Sequence, residues 1–170
     1  MKKVAILLED LVEDVEFIYP LYRFMEEGYT VDVLAPRVGE FSGKKGMVFH
    51  ASKRVDPEMA EYYDAVFVPG GYAPDRFRRD RETIEFIKNM YRKGKIVAAI
   101  CHGPWALISA KIVNGKRITA FFSIRDDIEN AGGIYTGKPV EIDGNIVTAT
   151  DPKAMPEMMK ILTAMLREKK

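Results

Sequence analysis

Short apolar runs alternate along this chain with longer stretches in which apolar positions recur every three or four residues. Residues 4–8, 31–35, 65–68 and 96–100 are brief and rich in β-branched side chains, which predicts buried parallel strands. Phe17, Leu21, Phe24 and Met25 follow helical spacing ahead of Glu26-Glu27-Gly28, where Gly28 is placed to end the helix. Ile84, Phe86, Ile87, Met90 and Tyr91 mark a second helix that starts near Asp80 and stops at Gly94. This alternation predicts a doubly wound α/β sheet with right-handed crossovers. Two segments break it. Residues 41–51 carry Ser42-Gly43 and a Lys44-Lys45-Gly46 turn, and residues 140–149 place Asp143-Gly144 between two β-prone runs, so each predicts a β-hairpin. Asp151-Pro152 then opens a last helix whose Met155, Met158, Met159, Ile161, Leu162 and Met165 read as core packing.

The 170 residues fit one domain, 1–170, able to bury roughly 70% of its unfolded surface without a disulfide or metal staple. Lys+Arg number 26 against 25 Asp+Glu, a net charge of +1 that lacks the electrostatic footprint of a nucleic-acid binder. Every apolar stretch is interrupted by charge, Gly or Pro before it could span a membrane. The five apolar residues after Met1-Lys2-Lys3 are too few for a signal peptide, so a cytoplasmic location is expected. A lone cysteine, Cys101, excludes an internal disulfide and a cysteine-rich metal site, and no cofactor is expected.

Cys101 stands where chemistry is expected. The strand at 96–100 runs directly into Cys101-His102-Gly103-Pro104, with Pro104 suited to the first turn of a helix. Ala99 and Gly103 lie two positions either side of the cysteine, the spacing of a nucleophile elbow, where a strained turn leaves room only for small neighbours. Such a turn lifts the sulfur to the carboxyl end of the sheet. It also points a helix N-terminus at the sulfur, which is expected to favour thiolate and lower the thiol pKa from about 8.5 toward about 3.5–7.5.

Two further loops belong with it. The strand at 65–68 ends in Pro69-Gly70-Gly71, where backbone amides can approach a ligand, and the amides of Gly71 and His102 could form an oxyanion hole. After the first strand come Glu9, Asp10, Glu13, Asp14 and Glu16, five carboxylates in eight residues. Such a run commonly makes a solvated helix start, but one carboxyl turned inward against a thiol would have a raised pKa and act as a proton donor.

Together, Glu13-Asp14-Val15-Glu16-Phe17-Ile18-Tyr19-Pro20, Val68-Pro69-Gly70-Gly71-Tyr72-Ala73-Pro74 and Ala98-Ala99-Ile100-Cys101-His102-Gly103-Pro104 resemble the PfpI branch of the DJ-1/PfpI superfamily. Ser42-Gly43-Lys44, Ile124-Arg125-Asp126-Asp127 and Asn130-Ala131-Gly132 extend the likeness over nearly the whole chain. The resemblance implies a flavodoxin-like three-layer sandwich, a mostly parallel sheet with helices on both faces and extra β-hairpins. It implies Cys101 as nucleophile, Glu16 as the carboxyl bonded to its sulfur and Glu13 as a second acidic group. It further implies a triad of Cys101, His102 and a carboxylate at Asp75 from a neighbouring subunit, in a dimer or hexamer. Tyr72, Phe77, Arg78 and Arg79 would then lie at the interface. This chain departs at Asp75, where relatives often carry Glu, and at Phe121, where they often carry Tyr or His. His50 matches no site position and is expected to be structural or solvated.

Three functions compete. An enzyme could use Cys101 to attack a small reactive carbonyl, with Glu16 moving protons and the amides of Gly70, Gly71 and His102 around the oxyanion, as a glutathione-independent glyoxalase or deglycase. A peptidase could use the inter-subunit triad: a histidine adjacent to the nucleophile does not naturally face its sulfur, but an elbow can allow it. A redox-sensing stress protein would instead oxidise Cys101. A glutamine amidotransferase is excluded because no histidine follows His102.

Overall fold

In the computed structural model, which describes residues 1–169, strands and helices alternate as the apolar pattern predicts. The order begins β1 (Lys3–Leu7), α1 (Asp14–Glu26), β2 (Thr30–Ala35), β3 (Gly39–Ser42), β4 (Val48–Ala51), β5 (Lys53–Arg54), β6 (Ala65–Val68), α2 (Ala73–Phe77) and α3 (Arg81–Arg92). It continues β7 (Ile96–Ile100), α4 (Pro104–Ser109), β8 (Arg117–Ile118), α5 (Arg125–Asn130), β9 (Ile134–Tyr135), β10 (Val140–Asp143), β11 (Ile146–Ala149) and α6 (Met155–Glu168).

Seven strands form the central sheet in the order β10-β11-β7-β6-β1-β2-β5, with antiparallel pairing only between β10 and β11. The chain winds outward from β1 through β2 to β5, then returns to β6 on the other side and continues to β7 and β11. The direction therefore reverses between β1 and β6, and open α/β sheets bind ligands at such a switch. α1 packs with α6, and α3 with α4, giving the flavodoxin-like sandwich expected.

The predicted hairpins appear as β3–β4, with Gly39 opposite Ala51, and β10–β11, with Val140 opposite Ala149. β11 does more than close a hairpin. It also pairs in parallel with β7, Ala149 beside Ile100, and becomes a buried core strand next to the elbow. Helix ends follow local chemistry: the Asp80 carboxylate accepts from the Thr83 amide at the start of α3, and Gly28 takes φ +78° just beyond α1. Asp151 caps a short 3-10 turn, Pro152–Ala154, that precedes α6 rather than α6 itself. Met155, Met158, Met159 and Leu162 are buried as expected, whereas Met25 is 53% exposed because its position on α1 turns away from the sheet. Among the described residues, no helix is long and apolar enough to cross a membrane.

Candidate active site

The chain leaves β7 through a left-handed residue. Cys101 has φ +60°, a conformation that costs about 1 kcal/mol or more for a residue with a Cβ and persists only where the surroundings impose it. Here the Cys101 amide donates to Ala149 O on β11 at 3.0 Å, and the Gly103 amide donates back to Ile100 O at 2.7 Å. The turn leaves no space two residues on: a Cβ on Gly103 would lie 2.6 Å from Val68 O and 2.8 Å from Ile100 O. Ala99, the other small position, is fully buried.

The β6 and β1 loops close around the sulfur. Gly71, at φ +73°, bridges Val12 and brings its backbone so close that a Cβ would lie 2.3 Å from Glu13 N. The Gly71 and His102 amides lie near the Cys101 sulfur and favour its thiolate. Glu16 turns inward from the first turn of α1 and is fully buried, its Oε1 accepting the Gly70 amide at 2.9 Å. Its Oε2 is buried without a hydrogen-bond partner, and the nearby Cys101 side chain favours the ionised carboxyl only weakly. The rest of the acidic run is divided between structure and solvent. Asp14 accepts the Lys45 and Met47 amides at 2.7 and 3.0 Å, gripping the β3–β4 turn, while Glu13 pairs with Lys44 at 3.3 Å and Lys45 at 3.0 Å. The grip of Asp14 is what carries Lys44 to the site.

Burial raises Glu16 from an ordinary 4.5 to about 8, reinforced by Glu13 and opposed by the Gly70 amide and Lys44, so this carboxyl is protonated at neutral pH. The expected low-pKa thiolate is not found. Burial and the Glu16 charge push the Cys101 thiol up to about 12, against the His102 and Gly71 amides that favour thiolate. α4 is only six residues long, too little helix to offset desolvation. While Glu16 keeps its proton, its share of that rise is absent, so the thiol is held up chiefly by burial. His102 is lowered below 6.5 by burial and by Lys44, opposed by Asp127, and is neutral at pH 7.

His102 meets the condition that the triad reading sets. The left-handed turn swings its ring back so that Nδ1 lies 3.3 Å from Cys101 Sγ, even though the two residues are adjacent. Phe121 stacks on the ring at 5.2 Å and Trp105 meets it edge-on at 5.0 Å. These groups, with Glu13, Glu16, Lys44, Gly71, Tyr72 and Ser123, surround an open cavity of about 420 Å³ at the carboxyl end of the sheet.

Asp75 is outside that lining and pairs with Arg79 at 2.5 Å. Phe77, expected at an interface, is fully buried in the core. Arg78 lies over the Trp105 ring, its guanidinium 5.4 Å from the centroid. His50 is exposed on β4 opposite Glu40. Among the described residues, no three His, Cys, Asp or Glu side chains converge to hold a metal. Sequence reasoning assigned no site role to Lys44, Trp105 or Ser123. Lys44 was signalled by five carboxylates that needed a cation, whereas nothing local marks Trp105 or Ser123.

A doubly wound sheet with a cysteine on a strained strand-to-helix elbow, faced by a buried carboxyl and two amides, defines an α/β protein of the elbow-cysteine class. Within that class the chain belongs to the DJ-1/PfpI family, whose sequence pattern matches residues 2–165. It is 39% identical over 165 residues to a deglycase of Thermococcus kodakarensis, covering 97% of this chain and 99% of that one. It is 40% identical over 152 residues to the Bacillus subtilis protein named "Putative cysteine protease YraA", covering 89% and 90%. A solved structure from Anabaena variabilis, a two-domain protein with DJ-1/ThiJ/PfpI-like and ferritin-like domains, superimposes with a TM-score of 0.95 at 38% identity. That match covers 98% of this chain and 48% of the longer one.

Proposed function

We propose that this protein is a cysteine-dependent glyoxalase or deglycase acting on small reactive carbonyls. The observation that carries the reading is the buried, protonated Glu16 set against Cys101, with the Gly71 and His102 amides directed at the same sulfur. Peptide cleavage needs a base and a triad; carbonyl addition also needs an acid ready to protonate the adduct. For a 2-oxoaldehyde such as methylglyoxal, Cys101 Sγ adds to the aldehyde carbon as its proton passes to His102 Nδ1. The two amides hold the developing oxyanion, and Glu16 supplies the proton that makes the hemithioacetal. The Glu16 carboxylate so formed takes the proton from C1 and returns it at C2 while the C1 hydroxyl proton passes to the C2 oxygen, giving a thioester. Water then adds to the thioester carbonyl and gives a proton to Glu16, and the C–S bond breaks as the His102 imidazolium returns its proton to the sulfur, releasing lactate and restoring the thiol. An early glycation adduct enters by the same route with an amine or thiol as leaving group. The cavity of about 420 Å³ suits so small a substrate.

The 3.3 Å contact between Cys101 Sγ and His102 Nδ1 favours a second reading, an intracellular cysteine peptidase. That triad needs Asp75 from a neighbouring copy in a homo-oligomer, and here Asp75 is engaged by Arg79 in its own chain. Lactate release from methylglyoxal, without glutathione or added metal, tests the first reading against Cys101→Ala. Turnover in the wild type, lost by about a hundredfold or more in the variant, is the expected result. A wild type that hydrolyses a fluorogenic peptide but releases no lactate would transfer the assignment to the peptidase.

A further inference from the structure

The His102 ring makes a second polar contact that no part of the mechanism above uses. Its Nε2 lies 3.3 Å from Ser123 Oγ, so one imidazole links the nucleophile to a hydroxyl of the same chain. Ser123 is carried on the 3-10 turn Phe122–Ile124, and that turn is tied to the elbow, because the Phe121 amide donates to the Cys101 carbonyl at 3.0 Å. The ring is also clamped between Phe121 and Trp105, and Trp105 is fixed in turn by donating from Nε1 to Asp127 Oδ2 at 2.9 Å. Two aromatic neighbours therefore restrict rotation of the imidazole, and the hydroxyl meets its Nε2 edge.

We propose that Ser123 is the positioning residue for His102, completing a Cys101–His102–Ser123 relay within a single chain. For Nδ1 to accept the thiol proton, it must be the bare nitrogen, so Nε2 must carry hydrogen and donate it to Ser123 Oγ. When the proton moves from Sγ to Nδ1, thiolate and imidazolium form together and the Nε2–H bond to Ser123 is retained. Ser123 thus stands where a triad places its orienting carboxylate, but brings no charge. The ionisable groups around the ring are Cys101 on its own turn, Glu13 and Glu16 at α1, Lys44 on the hairpin, Asp127 on α5 and Asp151 across the cavity. Lys44 opposes charging of the ring and Asp127 favours it, so a neutral orienting group leaves the imidazole a weak base that takes the proton as the thiol attacks an electrophile.

The proposal rests on Cys101 being the reactive group, and its test uses no substrate. Cys101 is the only cysteine, so iodoacetamide uptake reports its reactivity alone. With two histidines in the chain, His50→Asn leaves a single imidazole for ¹⁵N NMR. Ser123 is exposed, so Ser123→Ala should fold normally. The wild-type ring is expected as the Nε2–H tautomer. Ser123→Ala is expected to give averaged tautomers, a pH profile of alkylation displaced from the wild type, and alkylation about five- to tenfold slower at pH 7. Ser123→Thr, which keeps the hydroxyl, should restore both readouts. A wild-type Nδ1–H tautomer, or a Ser123→Ala protein in which either readout matches the wild type, would overturn the proposal. Absence of lactate release in the wild type would remove the carbonyl reaction but leave these two measurements to decide the relay.

Discussion

Replacing Glu16 by glutamine should change the protein's stability in a manner that depends on pH alone. The folded carboxyl titrates at about 8 and an unfolded one at 4.5, so folding holds a proton that the unfolded chain releases. Below pH 4.5 both states are protonated and Glu16 imposes no penalty. Between 4.5 and about 8 the unfolded chain loses its proton and the folded one does not, so stability falls by about 1.36 kcal/mol per pH step. Over about 3.5 steps the loss comes to roughly 5 kcal/mol, an upper figure because the buried site can relax or admit water. Glutamine keeps the shape and the hydrogen-bonding reach without the ionisation. Urea denaturation of wild type and Glu16→Gln at pH 5, 7 and 9 measures the difference, and the titration of every other group cancels between the two proteins to first order. The variant should be nearly level with the wild type at pH 5, ahead by about 3 kcal/mol at pH 7, and further ahead at pH 9. Its lactate release should meanwhile collapse, since the amide can neither give nor take the proton. Parallel stability profiles across this range would mean that Glu16 is already ionised at neutral pH, and the acid role assigned to it would fail.

The packing predictions are structural. Gly103→Ala puts a Cβ 2.6 Å from the Val68 carbonyl, a backbone atom that cannot swing aside, and should lower stability by about 1–3 kcal/mol; an unchanged urea midpoint would contradict the steric account of the elbow. Asp14→Ala removes the acceptor for the Lys45 and Met47 amides and should cost about 1–3 kcal/mol. Hydrogen exchange at those two amides should accelerate while exchange in β7 is unaffected, and equal protection in both proteins would show that the turn holds itself.

How much of this was legible in the sequence depended on the reach of each interaction. The parallel strands were legible because residues such as 96–100 are apolar on both faces, a pattern that survives without knowledge of their neighbours. The elbow was legible because its constraint acts over two residues, at Ala99 and Gly103. Among the five carboxylates the residues alone left the inward one open, and only the family likeness pointed to Glu16; its burial is set by where α1 starts, at Asp14. The role of β11 was half legible: its turn announced a hairpin, but its parallel pairing with β7 depends on partners some 50 residues away. Ser123 left no local mark, because its distance from the thiol is set by one backbone bond from Phe121 to Cys101.

The failed expectation about the thiol is the most instructive for mechanism. A helix N-terminus next to cysteine suggests a resting thiolate, but that argument weighs only the attraction and omits the desolvation of a partly buried sulfur. With burial included, the resting site at neutral pH holds a neutral thiol, a protonated Glu16 and a neutral His102. In that state Glu16 cannot serve as the first base, since its own proton is still in place. His102 Nδ1, 3.3 Å from the sulfur, is the basic group positioned to accept the thiol proton. In the proposed carbonyl reaction these protonation states set the order of events: His102 would act first, the amides would receive the oxyanion, and Glu16 would become a base only after giving its proton away. A carbonyl substrate draws that proton out of Glu16 as the adduct forms. The same burial that keeps the free thiol inert therefore confines its activation to the moment a substrate occupies the cavity.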